Sequence, residues 1–197
     1  MLVFSKPSGL LSVPGKDAHL ADCMEGRARA IYPDALLVHR LDMETSGIFL
    51  MARGKEVQAN LGKQFECRKV QKTYIARVAG HPENDSGLID LPLRCDWPNR
   101  PRQMVCYEHG KPSQTRWEVL EREAAGFSRL ALYPITGRSH QLRVHLAEIG
   151  HAILGDPFYA SETMRNAADR LQLHAQSLTI HHPDGGALIT FTDPAPF

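Results

Sequence analysis

The sequence predicts an α+β domain built on a mostly antiparallel, mixed sheet with flanking helices, and three observations carry that prediction. Short apolar runs bounded by Gly, Pro, Asn and Asp recur along the whole chain, as strands do. Only a few stretches between them have helical period. The runs follow one another rather than alternating strictly with helices, which separates this class from parallel βαβ architectures.

Taken in order, residues 6–17 (KPSGLLSVPGKD) form a Pro- and Gly-rich loop. Leu20, Met24, Ala28 and Ile31 then recur at helical spacing until Pro33 stops the pattern, which predicts one amphipathic helix. Residues 36–38 (LLV) and 48–52 (IFLMA) read as short buried strands, joined by the turn HRLDMETSG at 39–47. Val57, Leu61 and Phe65 mark a second helix; residues 73–79 (TYIARVA) and 88–93 (LIDLPL) read as strands. Residues 115–121 and 127–135 make a hairpin around Ala124–Gly126, and residues 136–150 return to helical period, with Ser139 expected as N-cap and Gly150 as C-cap. A last hairpin over 178–193 turns at Asp184–Gly186. No linker or internal repeat divides the chain, so a single domain over 1–197 is expected.

Composition excludes several classes. With 197 residues, 43% of them hydrophobic, the chain can bury a large core, while its apolar runs are too short to span a membrane. The opening MLVFSKPSG lacks the length and cleavage site of a signal peptide, so the cytoplasm is the expected location. Cys23, Cys67, Cys95 and Cys106 are widely spaced, without the CxxC pairs of a zinc ribbon or redox motif. A formal charge of +1 gives no global pointer to nucleic acid. Locally, residues 63–77 set five cations against one acid, and residues 94–102 (RCDWPNRPR) interleave three arginines with a tryptophan. Such clusters suit phosphates and stacked bases as well as they suit a solvated face.

Most catalytic schemes find no support. The chain has no GxGxxG after a strand, no phosphate-binding GxxxxGK[ST] and no GxSxG elbow. His140 and His145 are five residues apart, which turns them roughly 140° from each other on a helix, so no metal is expected. Asp42 is left, within His39-Arg40-Leu41-Asp42. An aspartate can act as a nucleophile when a cation such as Arg40 or Arg143 offsets its desolvation. It can equally cap a turn through the amides near Thr45, and spacing alone favours the cap.

Three stretches together resemble one family. HRLDMETSG at 39–47, KTYIARVAG at 72–80 and GRSHQLRVHLAEIGHAILGDPFY at 137–159 resemble, in order and separation, the HRLDxxTSG, K-x-Y-x-A and GRxHQIRxH…GD…Y segments of the RluA family of pseudouridine synthases. The likeness runs from KPSGLLSVPG to near the end. It implies a single pseudouridine synthase catalytic domain with an RNA-binding cleft, without the S4 domain of some relatives, and an N-terminal strand shortened to MLVFS. It also implies isomerisation of uridine in structured RNA, and residues 90–115 resemble the subgroup acting on a tRNA anticodon stem-loop and a 23S rRNA hairpin. Asp42 would be the catalytic nucleophile, Tyr74 the tyrosine stacked on the target base, and Arg143 the cation paired with Asp42. Arg40 would fill the space of the flipped uridine, with His39, Arg138, Leu142 and Arg100 at the RNA. No cofactor or metal is implied; RNA is the partner of what is expected to be a monomer.

Two readings from other classes stand beside this one. A non-catalytic RNA-binding module of the same fold would bind RNA without needing Asp42. A nucleoside or glycoside hydrolase would need a second placed carboxylate, which the sequence does not show.

Overall fold

A computed structural model describes residues 1–197. The strands, in chain order, are β1 (Leu2–Lys6), β2 (Ala35–Leu37), β3 (Ser46–Arg53), β4 (Gln71–Ala79), β5 (Ser86–Asp90), β6 (Leu93–Cys95), β7 (Gln103–Val105), β8 (Gln114–Glu123), β9 (Phe127–Pro134), β10 (Leu173–His181) and β11 (Leu188–Thr192). The helices are α1 (Met24–Ile31), α2 (Lys55–Glu66), α3 (Gln141–Glu148) and α4 (Glu162–Asn166). They fold into two compact units, one made of residues 1–72 with 174–196 and the other of residues 73–173 with Phe197. Both boundaries fall inside strands, β4 and β10, where no Pro- or Gly-rich linker marks them.

In the first unit β3 is the organising strand. Seven of its eight residues are buried, so it reads as a continuous apolar run rather than an alternating one. β1 pairs antiparallel along it from Leu2↔Met51 to Lys6↔Gly47, β2 pairs antiparallel at its far end, and β10 joins parallel at His174↔Ser46. β11 closes the unit antiparallel to β10. Ile48, Leu50 and Ala52 point with Leu178 and Ile180 into one cluster, which α2 covers with Leu61, Val57 and Phe65. That is the helix face expected from periodicity.

The second unit is an antiparallel ladder, β4 on β9, β9 on β8, β8 on β5. A bulge between Val119 and Glu121 bends the long β8–β9 hairpin. Ala76, Val78, Trp117, Leu130 and Leu132 from the ladder pack with Leu142 and Leu146 of α3, and this cluster is the core on which α3 rests. β6 and β7 form a separate two-stranded hairpin.

Three expectations need correction. The helix predicted from Leu20 begins at Met24, because Leu20 ends a separate 3₁₀ turn and the Cys23 thiol caps α1 by accepting the Gly26 amide at 3.3 Å. The run LIDLPL is two strands, since Pro92 has no amide for a ladder and sends Leu93 into the β6–β7 hairpin. α3 is capped by His140 rather than Ser139, and His140 sits in the left-handed region at φ 51°. Leu142 and Leu146 lie in the ladder's core cluster with Ile149 packed against it, and every residue from Gln141 to Leu146 is buried. The opening segment, expected to carry a shortened strand, forms the five-residue β1.

Candidate active site

A loop that leaves the ladder must find partners for its amides and carbonyls elsewhere. Residues 38–45, between β2 and β3, carry His39, Arg40 and Asp42, and residues 6–12 supply those partners. Ser12 Oγ donates to the Leu41 carbonyl at 2.7 Å and accepts the Leu41 amide at 3.0 Å. On the other side of Asp42, the Met43 carbonyl accepts from Lys6 Nζ at 2.8 Å and from the Gly9 amide at 3.0 Å. Ser8 Oγ donates to the Glu44 carbonyl at 2.7 Å. The main chain is thus gripped immediately before and after Asp42, whose side chain is half-buried.

Lys6 is the centre of this grip. It is fully buried, and its ammonium also donates to the carbonyls of Leu10 at 2.6 Å and Pro7 at 2.9 Å. Burial lowers its pKa from 10.5 to about 8, against the opposing pull of the Glu44 and Asp42 charges. The turn itself is closed by main chain, the Thr45 amide donating to the Asp42 carbonyl at 3.1 Å.

The neighbours of Asp42 divide. Arg40 is exposed. His39, expected at the RNA, turns its ring inward: Nε2 accepts the Leu50 amide at 2.9 Å, and the ring stacks on Phe65 with centroids 4.9 Å apart. Burial, helped by the Lys72 charge, lowers its pKa to about 4, so the neutral imidazole is a fold element. At the base of the loop, Ser46 Oγ bonds His174 Nδ1 at 2.9 Å, and His174 Nε2 bonds the Asp193 carbonyl at 2.8 Å.

The remaining expected residues stand in the second unit. Tyr74 pairs with Leu132 across β4 and β9 and packs, partly buried, against the cluster that contains Leu142. Arg138 is exposed just before α3, its amide donating to Gln141 Oε1 at 3.0 Å. Gln141 anchors this turn further, accepting from Thr136 Oγ1 at 2.8 Å and donating to the Gln114 carbonyl at 3.0 Å. Arg143 is buried, with 2% of its side chain accessible, and forms two parallel bonds to Asp156: Nε to Oδ2 at 2.8 Å and Nη2 to Oδ1 at 2.7 Å. This two-pronged geometry fixes a guanidinium more firmly than a single bond does. Arg100 is exposed on the β6–β7 hairpin, 4.5 Å over the Trp97 ring. His145, buried between Thr115 Oγ1 and the Leu91 carbonyl, has its pKa lowered by burial and serves packing.

Three residues escaped the sequence reading in any role, Lys6, Ser12 and Asp156. The signal for each lay inside a stretch already noticed, KPSGLLS for the first two and GDPFY for Asp156. A lysine or serine in a Pro/Gly loop reads as solvated until its partners are known.

Comparison with known proteins agrees with these motifs. Residues 1–148 match the family model described as RNA pseudouridylate synthase. The dual-specificity RNA pseudouridine synthase RluA of Escherichia coli K12 is 55% identical over 197 residues, covering 100% of this chain and 90% of the relative. Its counterpart of the same name in Yersinia pestis is 53% identical, covering 100% and 96%. Among solved structures, human RNA pseudouridylate synthase domain containing 1 superposes with a TM-score of 0.82 at 30% identity, covering 100% of this chain and 80% of that one. Human RNA pseudouridylate synthase domain containing 4 shares the fold, with a TM-score of 0.77 at 24% identity over 98% and 85% of the two chains.

Proposed function

This chain belongs to the RNA pseudouridylate synthase family, and from that premise we propose that it isomerises uridines in structured RNA with Asp42 as nucleophile, Tyr74 stacked on the uracil and Arg143 as the catalytic cation. The reaction breaks the bond between uracil N1 and ribose C1′, turns the base, joins C5 to C1′, and removes the proton from C5 while N1 takes one up, so the product is an isomer of the substrate. Nothing is oxidised and no phosphate moves. A base inside a stack can do none of this, so the uridine is flipped out first.

The observation that carries the reading is the grip on Asp42. Bonds to the main chain of Leu41 on one side and Met43 on the other hold the backbone of a half-buried aspartate in one place. A nucleophile needs that kind of placement, because misorientation is the larger part of the barrier that positioning removes. Asp42 attacks either the anomeric carbon or the uracil ring; on either route a held carboxylate is the requirement. Tyr74, partly buried beside the cluster of Leu142, offers an aromatic face for the flipped base and a hydroxyl to take the C5 proton. Arg40 fills the vacated stack, and Arg138 and Arg100, both exposed, reach the RNA backbone.

The relatives at 51–55% identity are named dual-specificity enzymes. Together with the resemblance of residues 90–115 to the subgroup acting on these RNAs, this supports assigning the chain two substrates, a tRNA anticodon stem-loop and a hairpin of 23S rRNA. Its four free cysteines suit a reducing cytoplasm, and no helix is long and apolar enough to cross a membrane.

The test is to incubate the protein with tRNA and 23S rRNA transcripts and map pseudouridine by carbodiimide-dependent primer stops. Wild type is expected to give a stop at one uridine in each RNA. Asp42→Ala is expected to bind both with unchanged affinity and give none. Product from Asp42→Ala at the wild-type rate would overturn the assignment.

A further inference from the structure

The β6–β7 hairpin, which α3 also meets directly at β7, is fastened to that helix by one turn, residues 156–159. The hairpin exposes Trp97, 64% accessible, under the Arg100 guanidinium, and Tyr107, 79% accessible. Such a cation and aromatic display fits unpaired bases and phosphate. On its β7 strand the Gln103 amide points away from the β6 partner and donates to Tyr159 Oη at 2.8 Å. The same oxygen lies 2.7 Å from His140 Nδ1, and the Arg102 guanidinium sits 5.8 Å over the Phe158 ring.

The turn grips α3 as firmly as it grips the hairpin. Asp156, with no accessible surface, takes both prongs of Arg143 and also accepts the amides of Phe158 at 2.8 Å and Tyr159 at 3.2 Å through Oδ1. One carboxylate therefore fixes both the arginine and the two aromatics. The rings of Phe158 and Tyr159 each lie 5.2 Å from the Arg143 guanidinium. His140, stacked on Phe158, holds a left-handed conformation that a residue with a Cβ adopts reluctantly, directly before the first turn of α3. Its partnership with Tyr159 stabilises that conformation and so the start of the helix that carries Leu142 and Arg143.

We propose that Tyr159 is a positioning residue for the reaction, coupling RNA engagement at the β6–β7 hairpin to the placement of Arg143. The inference rests on the proposed roles of Arg143 and of the hairpin. When bases stack on Trp97, the hairpin is held, the Gln103 amide holds the Tyr159 hydroxyl, and the hydroxyl holds His140 at the entry to α3. Asp156 keeps the arginine in step with the same turn. RNA that does not reach the hairpin leaves this chain of contacts looser, and turnover falls with it, so the hairpin selects substrate by rate as well as by affinity.

The experiment is a double-mutant cycle on a tRNA transcript, measuring single-turnover rate at saturating enzyme and, separately, the RNA dissociation constant. Tyr159→Phe removes only the hydroxyl; it is expected to slow turnover on the order of tenfold, what one lost hydrogen bond is worth, while leaving the dissociation constant within about twofold. Trp97→Ala is expected to weaken binding and slow turnover. If the hydroxyl transmits hairpin engagement, Tyr159→Phe has no further effect on the rate in the Trp97→Ala background. Effects that multiply would overturn the coupling, because a merely structural hydroxyl harms both backgrounds alike. Gln103→Pro deletes the donated amide from the other side, at an outward-facing strand position where proline is tolerated, and carries the same cycle should the phenylalanine variant not fold. No pseudouridine from the unaltered protein would overturn the parent reading and this one with it; a working enzyme with multiplying effects overturns the coupling alone.

Discussion

Replacing Lys6 with methionine separates what holds the catalytic loop from what reacts. Methionine keeps the length and apolar stem of the side chain and deletes the ammonium. The fall of the Lys6 pKa from 10.5 to about 8 says that the charge is less well accommodated here than in water, by about 3 kcal/mol at 1.36 kcal/mol per tenfold. Removing it relieves that penalty. The carbonyls of Pro7 and Leu10 then lose the Lys6 donor, at about 1–3 kcal/mol for each buried group stranded, whereas Met43 keeps the Gly9 amide. The two effects largely offset, so the melting temperature is expected to drop by only about 5 °C, the equivalent of roughly 2 kcal/mol in a chain of this size. The rate is expected to fall more, on the order of tenfold or beyond, because the Met43 carbonyl next to Asp42 loses its strongest donor. Single-turnover pseudouridine formation, filter binding of the tRNA transcript and thermal unfolding read the three quantities. A variant that loses several degrees of stability and retains the wild-type rate would refute the claim that this lysine aims Asp42. The pH dependence adds a check with a definite sign. The folded pKa lies below the unfolded one, so between about 8 and 10.5 the unfolded chain binds more protons and this group adds stability as pH rises. Wild type should therefore gain on Lys6→Met across that window.

His39 gives the acid counterpart. Its folded pKa of about 4 lies below the ordinary 6.5, so it supports stability above pH 6.5 and loses up to about 3 kcal/mol of that support as pH falls toward 4. Urea midpoints of wild type should fall across that window more steeply than those of His39→Gln; equal slopes would show that the imidazole is not held neutral. Gly47→Ala tests the register of β3 against β10. A Cβ there would lie 2.3 Å from the Ala175 carbonyl oxygen and 2.7 Å from its amide, at a φ of +109°. Neither backbone can retreat, so a loss of several kcal/mol is expected, seen as insoluble expression or a melting point lower by 10 °C or more. A soluble variant with wild-type melting would refute the pairing.

Strand and helix periods were legible in the sequence because they depend on neighbours close along the chain. α2 shows this best: Val57, Leu61 and Phe65 announce a face, and the same three residues cover Leu50 and Ile180. The entry to α3 was not legible, because Ser139 is a good local cap and only the contacts of His140 with Phe158 and Tyr159 favour the strained alternative. The same limit applies to Arg143. Helical spacing reads it as a solvated cation, and its burial follows from Asp156, thirteen positions away, which no local pattern links to it. The motif match located both residues, yet it assigned no task to Asp156.

The residues that escaped notice share a physical cause. A reactive loop cannot be paired into a sheet without burying the groups it must present, so its main chain needs donors and acceptors from side chains. Those side chains must themselves be buried to hold their geometry, as Lys6 and Ser12 are, at 0% and 3% accessible. Buried polar residues of this kind are costly unless bonded, and here Lys6 donates to three carbonyls while Ser12 both donates to and accepts from Leu41. This grip acts on the main chain of Leu41 and Met43, on both sides of Asp42. Substitutions at Lys6 or Ser12 should therefore alter how often Asp42 is in position, which lowers the single-turnover rate, and leave the affinity for the tRNA transcript in filter binding unchanged.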